Sequence, residues 1–142
     1  MSIKEHRIGE IVAEHHRREG PLLPILHAAQ AEFGCVDAES EALIAKGLNL
    51  SRADVHGVVS FYHDFHEQPD ARPVVQVCRA EACQARGVEG IIGAATAAAG
   101  ERVKVETVYC LGLCSSGPAA RVGDRLHARL DAPALTKIIE NA

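Results

Sequence analysis

Val74-Val75-Gln76-Val77-Cys78-Arg79-Ala80-Glu81-Ala82-Cys83 and Tyr109-Cys110-Leu111-Gly112-Leu113-Cys114, with twenty-six residues between Cys83 and Cys110, carry the pattern that decides the fold. The run of β-branched residues that opens the first stretch has the composition of a strand and passes directly into Cys78. Val103, Val105, Thr107 and Tyr109 alternate with Lys104, Glu106 and Val108, the period of a half-buried strand that runs into Cys110. Each cysteine pair therefore begins where a strand ends, and both loops are expected on one edge of a sheet. Between the strands a helix is predicted over residues 86–99, closed by Gly100. Residues 119–130 read as a hairpin turning at Gly123-Asp124. Asp131 caps a last helix with Pro133 in its first turn and Leu135, Ile138 and Ile139 as its apolar face. The order β-α-β-β-β-α describes a small sheet covered by helices.

Upstream the periodicity is helical. Ile8, Ile11, Val12 and His15 share one face of a helix that ends before Gly20-Pro21. A second helix is predicted over residues 24–33, with Gly34 after its last turn, and a third over residues 39–46, stopped by Gly47. Ser51 and Asp54 have the spacing of a capping box, followed by Val55, Val58 and Val59. Helices this short are unstable alone, so they are expected to form a small bundle. The proline-flanked stretch 69–73 reads as a boundary between a helical region, 1–70, and a second domain, 71–142. The fold class expected is α+β.

The composition excludes several functions. The 142 residues suffice for one domain or two small ones, and 47% hydrophobic with 24% charged residues is ordinary globular usage. A net charge of −4, no basic run longer than Arg17-Arg18 and only five Phe and Tyr leave neither a phosphate footprint nor a stacking platform, so no nucleic-acid partner is expected. The first sixteen residues lack the apolar core of a secretory signal, and no apolar run reaches the ~18 residues of a membrane span. A cytoplasmic protein without membrane insertion is expected, and its five cysteines are expected as reduced thiols.

Cys78 and Cys83 flank four residues, and Cys110 and Cys114 flank three. Structural zinc prefers tighter knuckles of the Cys-x2-Cys kind, and thiol–disulfide catalysis wants that spacing at a helix N-terminus. An iron–sulfur site fits better: a [2Fe-2S] cluster takes two thiolates on each iron, and longer loops can wrap its sulfides. Its oxidised core with four thiolates carries about −2 by formal counting, which calls for N–H donors. Gly112, Ser115, Ser116 and Gly117 provide a loop able to turn amides inward, and Arg79 and Arg86 stand near enough in sequence to offset charge. From spacing alone, zinc and unligated thiols remain open. Cys35 stands apart and reads as a free thiol.

These stretches, with Gly117-Pro118, resemble the thioredoxin-like [2Fe-2S] subunit family, the "24 kDa" subunit of NADH dehydrogenase (complex I) and its soluble relatives. The segment Val55-His56-Gly57-Val58-Val59-Ser60-Phe61-Tyr62 is similar to the end of that family's N-terminal helical region. The resemblance implies a thioredoxin-like α/β domain and a [2Fe-2S] cluster held by Cys78, Cys83, Cys110 and Cys114. It also implies an electron-transfer role beside a flavin- and NAD-binding iron–sulfur subunit, with no catalytic residue in this chain. SRADVHGVVSFYHDF, CRAEACQ and YCLGLC look most like the gamma subunit of soluble, molybdenum-containing, NAD-dependent formate dehydrogenases. A molybdenum-bearing catalytic subunit is then a further expected partner. The equivalent subunits of NADH:quinone oxidoreductase or of a hydrogenase diaphorase are the alternatives, followed by a free ferredoxin and a zinc-bearing interaction module.

The remaining motifs read more plainly. Gly87, Gly90 and Gly93 lack the spacing of a dinucleotide fingerprint and suggest close packing of a helix on the sheet. His15-His16 reads as solvated, and His63 and His66 lack a third ligand. Phe61, Tyr62 and Phe65 suggest a joint between the two regions. Pro118 stands where thioredoxin folds carry a cis proline, and a trans proline in an ordinary turn is the other reading.

Overall fold

Three polar side chains start helices in the first seventy residues. Ser2 accepts from the Glu5 amide ahead of α1 (Ile3–His15), and Asp37 accepts from the Ser40 amide ahead of α3 (Ala38–Leu48). Ser51 and Asp54 form the expected reciprocal box ahead of α4 (Arg52–Phe61). Helix α2 (Leu22–Phe33) starts two residues before the predicted 24 and ends as expected at Gly34, whose φ of 78° lets its N–H reach the Gln30 carbonyl. One expectation fails at Gly47, which lies inside α3. A Cβ there would stand 3.0 Å from a methyl of Val12, so this glycine serves the close approach of α1 to α3; Asn49, at φ 55°, ends the helix instead.

The computed structural model describes residues 1–142, which divide into two compact units, Met1–Asp70 and Ala71–Ala142. The core of the first is built from Ile8, Ile11, Ile25, Leu26, Val36, Ile44, Val55, Val59 and Phe65. Phe65 is buried there against the His27 ring, at 4.8 Å between centroids, while Phe61 and Tyr62 are exposed. The segment after α4 is tied back to α2 by the Gln30 side chain, which accepts from the His66 amide at 2.7 Å and donates to the Asp64 carbonyl.

The second unit is a four-stranded mixed sheet in the order β2-β1-β3-β4, with β1 (Val74–Cys78), β2 (Lys104–Val108), β3 (Ala120–Val122) and β4 (Arg125–His127). β1 and β2 are parallel, in a register that sets Cys78 beside Val108; the hairpin β3-β4 adds antiparallel to β1 and turns at Gly123-Asp124 as expected. The crossover contains two helices rather than the single one predicted. A short α5 (Glu81–Ala85) ends with Arg86 as its C-cap, and Gly87, whose φ of 93° no ordinary residue favours, is the N-cap of α6 (Val88–Ala99). Gly90 and Gly93 face open space, so the close packing expected of them is absent. Helix α7 (Ala132–Glu140) is capped by Asp131 as predicted, and it packs with α6 around Val75, Val77, Val88, Leu135 and Ile139. β2 does not alternate cleanly: Val105 and Val108 pack on the core, while Thr107 and Tyr109 are exposed. The architecture is α+β, with a thioredoxin-like second unit. No helix is long and apolar enough to cross a membrane.

Candidate metal centre

Parallel pairing brings the C-terminal ends of β1 and β2 side by side, so the loops that follow them leave from the same sheet edge. The last ladder bonds anchor the site directly. Cys78 donates its N–H to the Ala119 carbonyl and Arg79 donates to the Val108 carbonyl, each at 2.9 Å. The cysteines lie as two pairs. Sγ of Cys110 and Sγ of Cys114 are 3.5 Å apart, and the Cys78 and Cys83 thiols hydrogen-bond to each other. Cys78 and Cys83 are buried, and Cys110 and Cys114 are exposed.

Backbone amides converge on the sulfurs. Burial opposes a thiolate at Cys78, but N–H groups of Ala80, Cys110 and Leu111, with the Cys83 thiol, outweigh it and hold the Cys78 pKa below the ordinary thiol value. Cys83 moves the other way: burial first, then its Cys78 neighbour, push it up against the Ala119 amide. Cys114 is raised chiefly by Cys110 beside it. The Gly112 N–H donates to Cys110 Sγ at 3.3 Å, made possible by φ of 101° at Cys110 and 76° at Gly112.

Gly117 contributes space instead of a donor. With φ of −69° its backbone needs no glycine, yet a Cβ would sit 2.8 Å from Cys83 Sγ. The Gly117-Pro118 peptide bond is cis, which decides between the two expectations for Pro118. Two other expectations are corrected. The Ser116 amide closes a 3-10 turn onto the Leu113 carbonyl, and so is not turned to a sulfur. Arg79 is engaged in a bidentate pair with Glu89, at 2.6 and 2.8 Å, which offsets its charge locally. The Ala80, Leu111 and Ala119 donors escape a reading of the sequence because no side chain marks a backbone amide; only strand ends next to a cysteine hint at them. Cys35 is a buried free thiol in the first unit, as expected.

Four thiol groups in two close pairs, with N–H donors around them, fit the two-iron core of a [2Fe-2S] cluster, which takes two thiolates per iron. A single tetrahedral zinc needs all four sulfurs about equally close, roughly 3.8 Å apart for bonds of ~2.3 Å. Here the sulfurs stand as two pairs, Cys110 with Cys114 at 3.5 Å and Cys78 hydrogen-bonded to Cys83.

The thioredoxin-like [2Fe-2S] ferredoxin family description matches residues 8–142. The chain belongs to this family. Its cofactor is a [2Fe-2S] cluster. Among similar proteins, the NADP-reducing hydrogenase subunit HndA of Solidesulfovibrio fructosivorans is 28% identical over 87% of this chain and 77% of its own. An NADH-quinone oxidoreductase subunit of Escherichia coli K12 is 29% identical over 89% of this chain and 84% of its own. The crystal structure of an air-oxidised NAD+-reducing [NiFe]-hydrogenase superposes with a TM-score of 0.69 at 28% identity. That match covers 84% of this chain and 22% of the hydrogenase chain.

Proposed function

We propose that Cys78, Cys83, Cys110 and Cys114 ligate the cluster and that the chain is the electron-transfer subunit of an NAD-linked oxidoreductase complex, beside a flavin- and NAD-binding subunit. The pairing of sulfurs at the ends of two adjacent parallel strands carries this reading. Family membership supports it, as do relatives whose names join them to NADH, NADP and hydrogen chemistry. When bound, the cluster stores and releases one electron at a time. The chain's own residues hold the sulfurs in two pairs, donate N–H groups to them and keep one pair away from water, three determinants of reduction potential. Residues 71–142 are then the cluster-bearing domain and residues 1–70 its helical companion. None of this chemistry requires a catalytic residue in the chain.

The finer assignment is to a soluble, molybdenum-containing formate dehydrogenase. It rests on the residues around the cysteines and on VHGVVSFYHDF, residues 55–65. A hydrogenase diaphorase is the second reading, favoured by two of the relatives above.

The experiment is anaerobic purification with iron and sulfide counts, followed by low-temperature EPR after reduction. About two irons and two sulfides per chain with a spin-half signal are expected. Cys114→Ala should lose or badly destabilise the cluster, and unchanged iron content and spectrum would remove Cys114 from the ligand set. A colourless protein with one zinc would overturn the reading. Formate-dependent NAD+ reduction in the co-purified complex selects the formate dehydrogenase assignment, and hydrogen-dependent reduction selects the diaphorase.

A further inference from the structure

Glu41 is the one buried carboxylate of the protein, 5% exposed, in the first turns of α3. Both of its oxygens face a single nitrogen: His56 Nδ1 on α4 lies 3.1 Å from Oε1 and 3.2 Å from Oε2. Oε1 of Glu67, in the segment after α4, is 4.0 Å from the same nitrogen. One donor atom from each of the three residues lies within 4.8 Å of the others. The ion pairs of both glutamates are with His56 alone, and the one cation that acts on His56 is Arg52, four residues before it on α4. With neutral imidazole two negative charges meet here, one of them withdrawn from water. A buried carboxylate is costly unless a cation or several donors compensate it. The N-terminal end of α3 compensates in part, but the carboxylate's hydrogen-bonding capacity is turned entirely into the space shared with His56 and Glu67.

An imidazole nitrogen with two carboxylates is a donor set for borderline and harder divalent ions, and metal–ligand bonds of ~2.0–2.2 Å would bring such donors to roughly 3–3.5 Å from one another. His56 already stands at that distance from Glu41, and Glu67, with its side chain 63% exposed, is free to swing inward. The backbone supporting Glu67 is held in place. Phe65 is in the core, and the adjacent His66 accepts from the Val36 amide at 2.7 Å and donates to Gln30. We propose that Glu41, His56 and Glu67 bind one divalent transition-metal ion, which clasps α3, α4 and the segment that follows them. The upward pKa shift of His56, caused first by its hydrogen bond to Glu41, is the response of an imidazole to that negative charge. The site lies wholly in the first unit, while the cysteine pairs lie in the second.

The test uses the full chain with its cluster bound and oxidised, so that the thiolates are occupied and the Mn2+ EPR signal is free of overlap. Titration with Mn2+ should remove the free-ion six-line signal up to one equivalent per chain. His56→Gln and Glu67→Gln, both at side chains more than half exposed, should each weaken binding at least tenfold. Circular dichroism verifies that both variants are folded. Mn2+ should also raise the wild-type melting temperature and leave that of the variants unchanged. No binding at millimolar Mn2+, or equal affinity in wild type and both variants, overturns the proposal and leaves His56–Glu41 as an ion pair alone. Iron and sulfide content reads the cysteine site separately, so the two readings fail independently.

Discussion

At Gly117 a single missing Cβ makes room for a sulfur. The obstacle is 2.8 Å away and belongs to Cys83, whose short side chain cannot retreat without leaving Cys78. Gly117→Ala should therefore disturb the cluster more than the fold. Overpacking of this kind costs about 1–3 kcal/mol, and iron and sulfide per chain should fall while far-ultraviolet circular dichroism is retained. Unchanged iron content and EPR line shape would show that the backbone moves aside. Asp37 offers a second test. It accepts from the Ser40 amide and hydroxyl and pairs with Lys4 at 2.6 Å, and these contacts, Lys4 first, lower its pKa to about 2. A carboxyl depressed below its unfolded value of ~3.9 stabilises the fold above that pH, and the contribution disappears as pH falls towards 2. Asp37→Ala also removes the cap, so it should cost about 1 kcal/mol near neutrality. Urea titrations of both proteins should show the difference shrinking between pH 4 and 2. The cap at Asp131 is legible in the sequence because it is local to its helix. The cap at Asp37 is obscured because α3 starts at Ala38, one residue before the apolar pattern places it. The role of Gly117 is invisible there, since its contact is thirty-four positions away in sequence.

Among the elements, α6 carries a correctable weakness. Gly93 sits in the helix interior with nothing within 4 Å of where a Cβ would be. Glycine there loses about 0.5–1 kcal/mol relative to alanine. Gly93→Ala should raise the thermal midpoint, and a drop would mean that a neighbour absent from this chain occupies that face. The sequence alone suggests the opposite role for this glycine, because a small residue in a helix looks the same whether it faces a sheet or solvent. Gly47 reverses in the other direction, from a stop signal to a contact with Val12. The predicted crossover helix, 86–99, forms as Val88–Ala99, and the extra short helix Glu81–Ala85 ahead of it escapes the sequence because five residues are too few to show a helical period; the positive φ of Gly87 separates the two.

For the molecule as a whole, the two units have separate apolar cores, and the cysteine pairs belong to one of them. Metal binding by a site formed only on folding adds to the stability of the unit that carries it. Removal of the cluster under reducing conditions with a chelator should therefore raise amide hydrogen exchange around residues 78–83 and 108–119. The core of the first unit, at Ile25, Ile44 and Val55, should keep its protection. Equal loss in both units would indicate one cooperative structure instead of two.

By itself the sequence determined what nearest neighbours decide: the capping box at Ser51, the turn at Gly123-Asp124, the cap at Asp131, and strands that deliver two cysteine pairs to their ends. Propensity, capping and alternation act over a few residues and leave their mark in order and spacing. Only the tertiary structure decided which amides point at Cys78, that the bond before Pro118 is cis, that Gly47 and Gly117 are glycines for contact, and that Glu41, His56 and Glu67 share one space. Those features depend on how closely segments remote in sequence approach, and packing distances are set by the whole core, which no local pattern records.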